Sequence, residues 1–255
     1  MSSPKAPDAL TRATVTPSGW STSSTREIDL RYLGRPPATS HRPYFSFVES
    51  FARDLLESCG PVRVLDVGCA NGSFVHYLSK RHPAAVCTGV DALPQLVEDA
   101  ARNVPTGNFI VGDILEAASM PAGPFSLVTM LTLHSHFDRL DDVLNNLMSL
   151  VEVGGRALVF GLFNRSAVDV LVRVRVSGDT VGWQPGWNIH SRRAVRDLLC
   201  SRGFGATYHD YEPPQDWVER HGDPLGSRKV EIDGRVTFIN DAGLILPFAL
   251  LEVRR

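Results

Sequence analysis

The chain has 255 residues, 43% hydrophobic and 21% charged, with a formal net charge of -2. This is an ordinary globular composition, enough for one large core or two modest ones. It provides no global positive field to draw in nucleic acid or anionic lipid, and no run approaches the roughly 18 consecutive apolar residues of a membrane span.

Residues 1–26 are rich in Ser, Thr and Pro and poor in aliphatic periodicity. They cannot bury enough to offset their ordering entropy, so a flexible tail is expected, followed by a single domain over 27–255. From Tyr44 to Leu56 the apolar residues recur near helical spacing, which predicts one amphipathic helix ending near Cys59-Gly60. Short β-branched runs then alternate with helical patterns, the signature of βαβ units and a parallel sheet. Strands are expected over 62–67, 85–91, 108–111, 125–131 and 156–160, and helices over 73–81, 94–103 and 141–150. Val153-Gly154-Gly155 reads as a turn just before the fifth strand.

Beyond residue 162 the pattern is less regular. A helix over 191–201 precedes a sixth strand near 206–211, and a seventh is expected near 246–253. Two insertions, 163–190 and 213–245, carry Trp183, Trp187 and Trp217. Arg192, Arg193 and Arg196 read as a solvated helix face. Cys59, Cys69, Cys87 and Cys200 lie far apart, without C-x-x-C pairs or histidines at ligand spacing. No metal site is therefore expected, and reduced thiols with no signal peptide make a cytoplasmic protein the expectation.

The chemistry is concentrated in Val64-Leu65-Asp66-Val67-Gly68-Cys69-Ala70-Asn71-Gly72, an apolar strand ending in an acid, then a glycine-bearing turn and a helix start. Glycines let backbone approach a ligand at the carboxyl end of a strand, where open α/β sheets bind. A carboxylate at this turn repels a pyrophosphate and suits an ammonium group. The turn also lacks the G-x-G-x-x-G spacing of dinucleotide-binding proteins. A second strand, Cys87-Thr88-Gly89-Val90-Asp91, ends in an acid 25 residues after Asp66, where a carboxylate can accept from two vicinal hydroxyls. Val111-Gly112-Asp113-Ile114 follows the third strand, and Met130-Leu131-Thr132-Leu133-His134-Ser135-His136-Phe137-Asp138 closes the fourth.

These four segments, in this order, resemble the class I S-adenosylmethionine-dependent methyltransferases over roughly residues 61–162, with Ala70 where the family usually has a glycine. The resemblance implies a Rossmann-like doubly wound α/β sheet of about seven strands, with an N-terminal helix and substrate-side insertions. It implies S-adenosyl-L-methionine held by Asp66, Gly68, Cys69, Ala70, Gly72, Asp91, Ala92, Leu93, Asp113, Ile114, Leu131 and Thr132. Asp91 would anchor the ribose, Asp113 or its neighbour's backbone amide would meet the adenine edge with Ile114 and Leu93 on its face, and the backbone from Met130 to Thr132 would run beside the methionyl group.

His134 and His136 are the candidate general bases, needed for an alcohol or phenol and dispensable for a neutral amine. Tyr44 could close over the cofactor, and Trp183 and Trp187 could wall an acceptor pocket. The expected partner is a small-molecule acceptor methylated on oxygen or nitrogen, such as a natural-product or sugar intermediate, with no nucleic acid or membrane and a monomer or homodimer. Two alternatives stay open: a catalytically inactive cofactor-binding partner or sensor, and a dinucleotide-dependent oxidoreductase or epimerase.

Overall fold

The computed structural model describes residues 27–35, 42–175, 183–212, 214, 227–240 and 243–255. The expected tail, Trp217 and much of the second insertion lie outside them. A 3-10 helix, Glu27–Tyr32, is followed by α1 (Pro43–Ser50) and α2 (Arg53–Leu56). The single helix expected over 44–56 is thus broken at Phe51-Ala52. A tertiary contact accompanies the break: the Arg156 guanidinium donates to the Phe51 carbonyl and, at 2.6 Å, to Asp54.

The alternation then continues through β1 (Arg63–Val67), α3 (Ser73–Arg81), β2 (Val86–Asp91), α4 (Pro94–Asn103), β3 (Asn108–Val111), β4 (Phe125–Leu131), α5 (Asp141–Ser149) and β5 (Val151–Asn164). The expected turn at Gly154-Gly155 lies inside β5. The strand starts pairing at Val151, loops outward where Val153 is 88% exposed, and re-enters register at Arg156 opposite Leu127.

The first insertion contributes the short strands β6 (Arg173–Val174), β7 (Gln184–Pro185) and β8 (His190–Ser191). It is followed by α6 (Arg192–Cys200) and β9 (Gly205–Asp210). The remainder comprises β10 (Ser227–Ile232), β11 (Arg235–Asn240), β12 (Ile245–Leu246) and β13 (Phe248–Arg254).

The central sheet has the order β3-β2-β1-β4-β5-β13-β9, with β8 paired to the end of β5. β3 through β5 are mutually parallel, whereas β13 is antiparallel to both of its neighbours. Successive side chains of a strand face opposite sides, and here both sides are covered. Val64, Leu127, Leu158 and Leu250 pack with Phe45 and Val48 of α1 and Phe74, Val75 and Leu78 of α3. Leu65, Val128, Ala157 and Leu251 pack with Val143, Leu144 and Leu147 of α5 and Val195 and Leu199 of α6. β10, β11 and β12 form a separate antiparallel sheet, whose Phe238 and Leu246 pack with Leu162, Ile189 and Trp187.

Arg192 departs from the solvated face expected of it. Only 12% of its side chain is exposed, it pairs with Asp210 at 2.6 Å, and it lies over the Tyr208 ring at 5.2 Å. Arg193, by contrast, is 77% exposed. No described helix is long and apolar enough to cross a membrane, and no cluster of metal-ligating side chains occurs among the described residues.

Candidate active site

One cavity opens at the carboxyl ends of β1, β2 and β4, where the strand order reverses between β1 and β4 and open α/β sheets bind ligands. Its floor is Asp66, Gly68, Cys69, Ala70, Asp91 and Leu93, with Leu131, Thr132 and Leu133 on the β4 side. Three backbone positions here adopt left-handed conformations: Gly68 (φ 77°), Ala70 (φ 47°) and Thr132 (φ 69°). For Ala and Thr that conformation costs roughly 1–2 kcal/mol, so strain is concentrated where backbone lines the cavity. At Gly68 an added Cβ would meet Leu133 at 2.8 Å, so a side chain is excluded there for reasons of space as well.

The two strand-end acids differ in setting. Asp66 is 3% exposed and accepts a 2.7 Å hydrogen bond from Thr129. Burial, with help from the nearby Asp91 charge and against the Thr129 bond, pushes its carboxyl up to about 7. Asp91 accepts from the backbone amides of Ala70 (2.9 Å) and Leu93 (3.0 Å), which ties the end of β2 to the turn after β1. Burial raises its carboxyl too, opposed by those amides.

The N-terminal segment forms the roof. Asp29, Tyr32, Arg42, Tyr44 and Phe45 all line the cavity. The segment is fastened by the Asn71 amide, which donates to the Arg35 carbonyl (3.1 Å), and by the Gly34 amide, which donates to Asp99 (3.3 Å). Arg42 donates to the Tyr44 hydroxyl at 2.9 Å and lies 5.6 Å from the centre of the Tyr32 ring. Interaction with Tyr44 holds the guanidinium's pKa above its ordinary value despite burial. Tyr44 also stacks on Phe160, with centroids 4.8 Å apart. Asp29 and Arg42 escaped the sequence reading because neither sits in a periodic or glycine-rich pattern.

Of the residues expected to hold the cofactor, Gly72, Ala92, Asp113 and Ile114 do not line the cavity. Gly72 serves packing, since a Cβ there would meet Phe109 and Ala100 near 3 Å. The Asp113 carboxylate accepts from the Leu115 amide at 2.9 Å, an Asx turn, and Ile114 is core at 2% exposure.

His134 is likewise absent from the cavity. It is 0% exposed, stacks on Phe163 at 4.4 Å, and faces the Leu162 carbonyl at 3.3 Å through Nε2. Its Nδ1 has no hydrogen-bond partner among the described residues. Burial pushes its pKa down to about 3, so it stays neutral and is a core side chain. His136, two residues on, does line the cavity. Trp187 joins the lining from the first insertion, whereas Trp183 is 65% exposed and lies under Arg175 instead. Trp187 is followed by the fully buried Asn188, which donates to the Phe137 carbonyl (2.9 Å) and Asp138 (3.1 Å).

The fold is a Rossmann-like α/β sheet with a cavity across the ends of β1, β2 and β4. Residues 64–155 match the family model described as a methyltransferase domain. Among similar proteins are two trans-aconitate 2-methyltransferases. That of Rhodopseudomonas palustris is 41% identical over 66 residues, 25% of this chain and 26% of that one. That of Agrobacterium fabrum is 36% identical over 110 residues, 41% of each. The matched stretches therefore span between about a quarter and two-fifths of those relatives.

Solved structures agree over far more of the fold. The DhpI-SAM-HEP complex superposes with a TM-score of 0.54 at 16% identity, covering 84% of this chain and 88% of that one. A protein described under "Conversion of a Disulfide Bond into a Thioacetal Group during Echinomycin Biosynthesis" gives 0.55 at 18%, covering 89% and 91%.

The residues present fit S-adenosylmethionine. Asp66 and Arg42 set a carboxylate and a guanidinium on one cavity, the complement of an α-amino-acid zwitterion. Asp91 retains acceptor capacity for the hydroxyls of a ribose, and Leu93 and Leu96 offer an apolar wall for a base.

Proposed function

We propose that this chain transfers a methyl group from S-adenosylmethionine to an oxygen or nitrogen of a small-molecule acceptor. The observation that carries the reading is the charge pattern of the cavity: three carboxylates, Asp29, Asp66 and Asp91, face one guanidinium, Arg42. That excess of negative charge favours a cationic ligand and opposes a pyrophosphate. When bound, the cofactor supplies an electrophilic methyl group on a sulfonium.

The chain's own task is to hold the acceptor opposite that methyl group and to keep water out. Alignment of this kind is worth on the order of 7–11 kcal/mol. Asp66 and Arg42 would fix the amino-acid end and Asp91 the ribose, while Thr132, Leu133, His136 and Trp187 border the remaining space. The roof residues Asp29, Tyr32 and Tyr44 would close over the bound pair.

The partial match to the trans-aconitate enzymes does not carry their acceptor over to this chain. Trans-aconitate is nonetheless the first acceptor to assay, because relatives are named for it. Calorimetric titration with S-adenosylmethionine, S-adenosylhomocysteine and NAD(P) tests the reading. Micromolar binding of the first two and none of the third is expected; binding of NAD(P) alone would overturn it. Binding without turnover on any acceptor would favour an inactive cofactor-binding partner.

A further inference from the structure

We propose that His136 and Asp29 form a proton-accepting dyad at this cavity, and that the acceptor is a hydroxyl compound whose proton His136 takes. The proposal rests on the methyl-transfer reading and deepens it. Both side chains line the cavity, and Nδ1 of His136 lies 3.8 Å from Oδ2 of Asp29, with the side chains 9% and 13% exposed. His136 ends the 3-10 turn Leu133–His136 after β4, and Asp29 comes from the Glu27–Tyr32 helix of the roof, so the pair joins floor to roof across the site.

The chemistry follows from which nitrogen faces the acid. A proton on Nδ1 points to Asp29 and leaves Nε2 as the basic nitrogen. The carboxylate also stabilises the imidazolium that forms when Nε2 takes a proton, which is how an acid orients a histidine base elsewhere.

The other titratable groups bordering this cavity are Asp66, Cys69 and Asp91 at the strand ends, and Arg42, Tyr32 and Tyr44 from the roof. Neutral His134, two residues back in the chain, is sequestered against Phe163. The two strand-end carboxylates favour a cationic imidazole and Arg42 opposes it.

A base narrows the acceptor class. A carboxylate is already an anion and a neutral amine attacks with its own lone pair, so neither needs a proton removed first; an alcohol or phenol does. As the acceptor oxygen attacks, its O–H electron pair stays on oxygen while a lone pair forms the O–CH3 bond. The C–S pair stays on sulfur, and the proton goes to Nε2 and later to solvent. His136 is thus the catalytic residue and Asp29 a positioning residue.

The test follows His136 by side-chain NMR in protein saturated with S-adenosylhomocysteine, comparing wild type, Asp29→Asn and Asp29→Glu. The titration midpoint of His136 should fall by about one pH unit in Asp29→Asn and be restored in Asp29→Glu. An unmoved midpoint in Asp29→Asn overturns the dyad. Failure of the wild type to bind S-adenosylhomocysteine strikes instead at the methyl-transfer reading.

In parallel, methyl transfer is assayed on a panel of phenols and sugar alcohols and on trans-aconitate. Turnover of a hydroxyl compound that drops by about 10²–10⁴ in His136→Gln supports the acceptor class. Turnover of trans-aconitate alone, equal in wild type and His136→Gln, overturns it.

Discussion

At the scale of single residues, the two strand-end acids make different predictions. Asp91 offers a charged acceptor in a half-buried position and also anchors the Ala70 and Leu93 amides. Asp91→Ala removes that acceptor from a desolvated ligand hydroxyl, a loss of about 1.5–3 kcal/mol, or roughly 10- to 150-fold in Kd by calorimetry.

Asp66 predicts a pH dependence. Its carboxyl sits near 7 in the folded protein against 3.8 as its ordinary value, so ionising it costs stability. That cost is absent below about pH 4, grows as pH rises, and is complete above about 7. A bound ammonium group reverses the preference and needs the ionised form. Cofactor affinity should therefore weaken by up to about tenfold per pH unit below 7. Titrations between pH 5.5 and 8 check this, and a flat profile would mean that Asp66 does not face the ammonium. Asp66→Asn should raise the Tm of cofactor-free protein at pH 8 while losing cofactor affinity.

At the scale of elements, α1 is held on α3 by Glu49, which is 2% exposed and bonded by Tyr77, Arg81 at 3.0 Å and His82 at 2.8 Å. Burial pushes this carboxyl up, but the three partners outweigh it and hold it below the usual range. The clamp's stabilisation is thus present above the unfolded carboxyl's value and is lost as pH falls through the depressed one. Glu49→Ala should cost about 2–4 kcal/mol, moderated because Arg81 is half exposed. Thermal denaturation would show it, and affinity should fall too because α1 carries Tyr44 and starts directly after Arg42. A second element-scale contact is Gly161 in β5, where a Cβ would lie 2.3 Å from the His134 ring. Gly161→Ala should lower stability by about 1–3 kcal/mol through overpacking, as a fall in Tm.

Elements with strict local patterning were legible in the sequence. β3, β4, α3 and α4 coincide with their expected bounds because apolar period and turn residues agree there. The elements that departed are governed by distant partners: Arg156 beside the break between α1 and α2, and β4 pairing that carries β5 through a glycine pair usually read as a stop. The same holds within the site. Asp66, Gly68, Asp91 and Thr132 sit in a motif and could be found; Asp29 and Arg42 reach the cavity only because their segment folds back over it. His134 and His136 are indistinguishable by local pattern, and packing alone sends one to the core and the other to the cavity.

At the scale of the molecule, β13 fills the slot between β5 and β9, with Ala249, Leu250, Leu251 and Val253 at 0% exposure. A chain lacking residues 248–255 should therefore fail to fold cooperatively, leaving two unpaired strand edges. Circular dichroism melting tests this, and a sharp transition in the truncated chain would refute it.

The same placement bears on how the protein is made. On the ribosome, β1 to β4 and their helices emerge early and can pair locally, yet β5 then waits with an open edge for a neighbour nearly ninety positions later in the chain. The cofactor half can assemble while synthesis continues, whereas the finished sheet depends on a strand translated well after it, and until then the nascent chain presents an edge on which another chain could template.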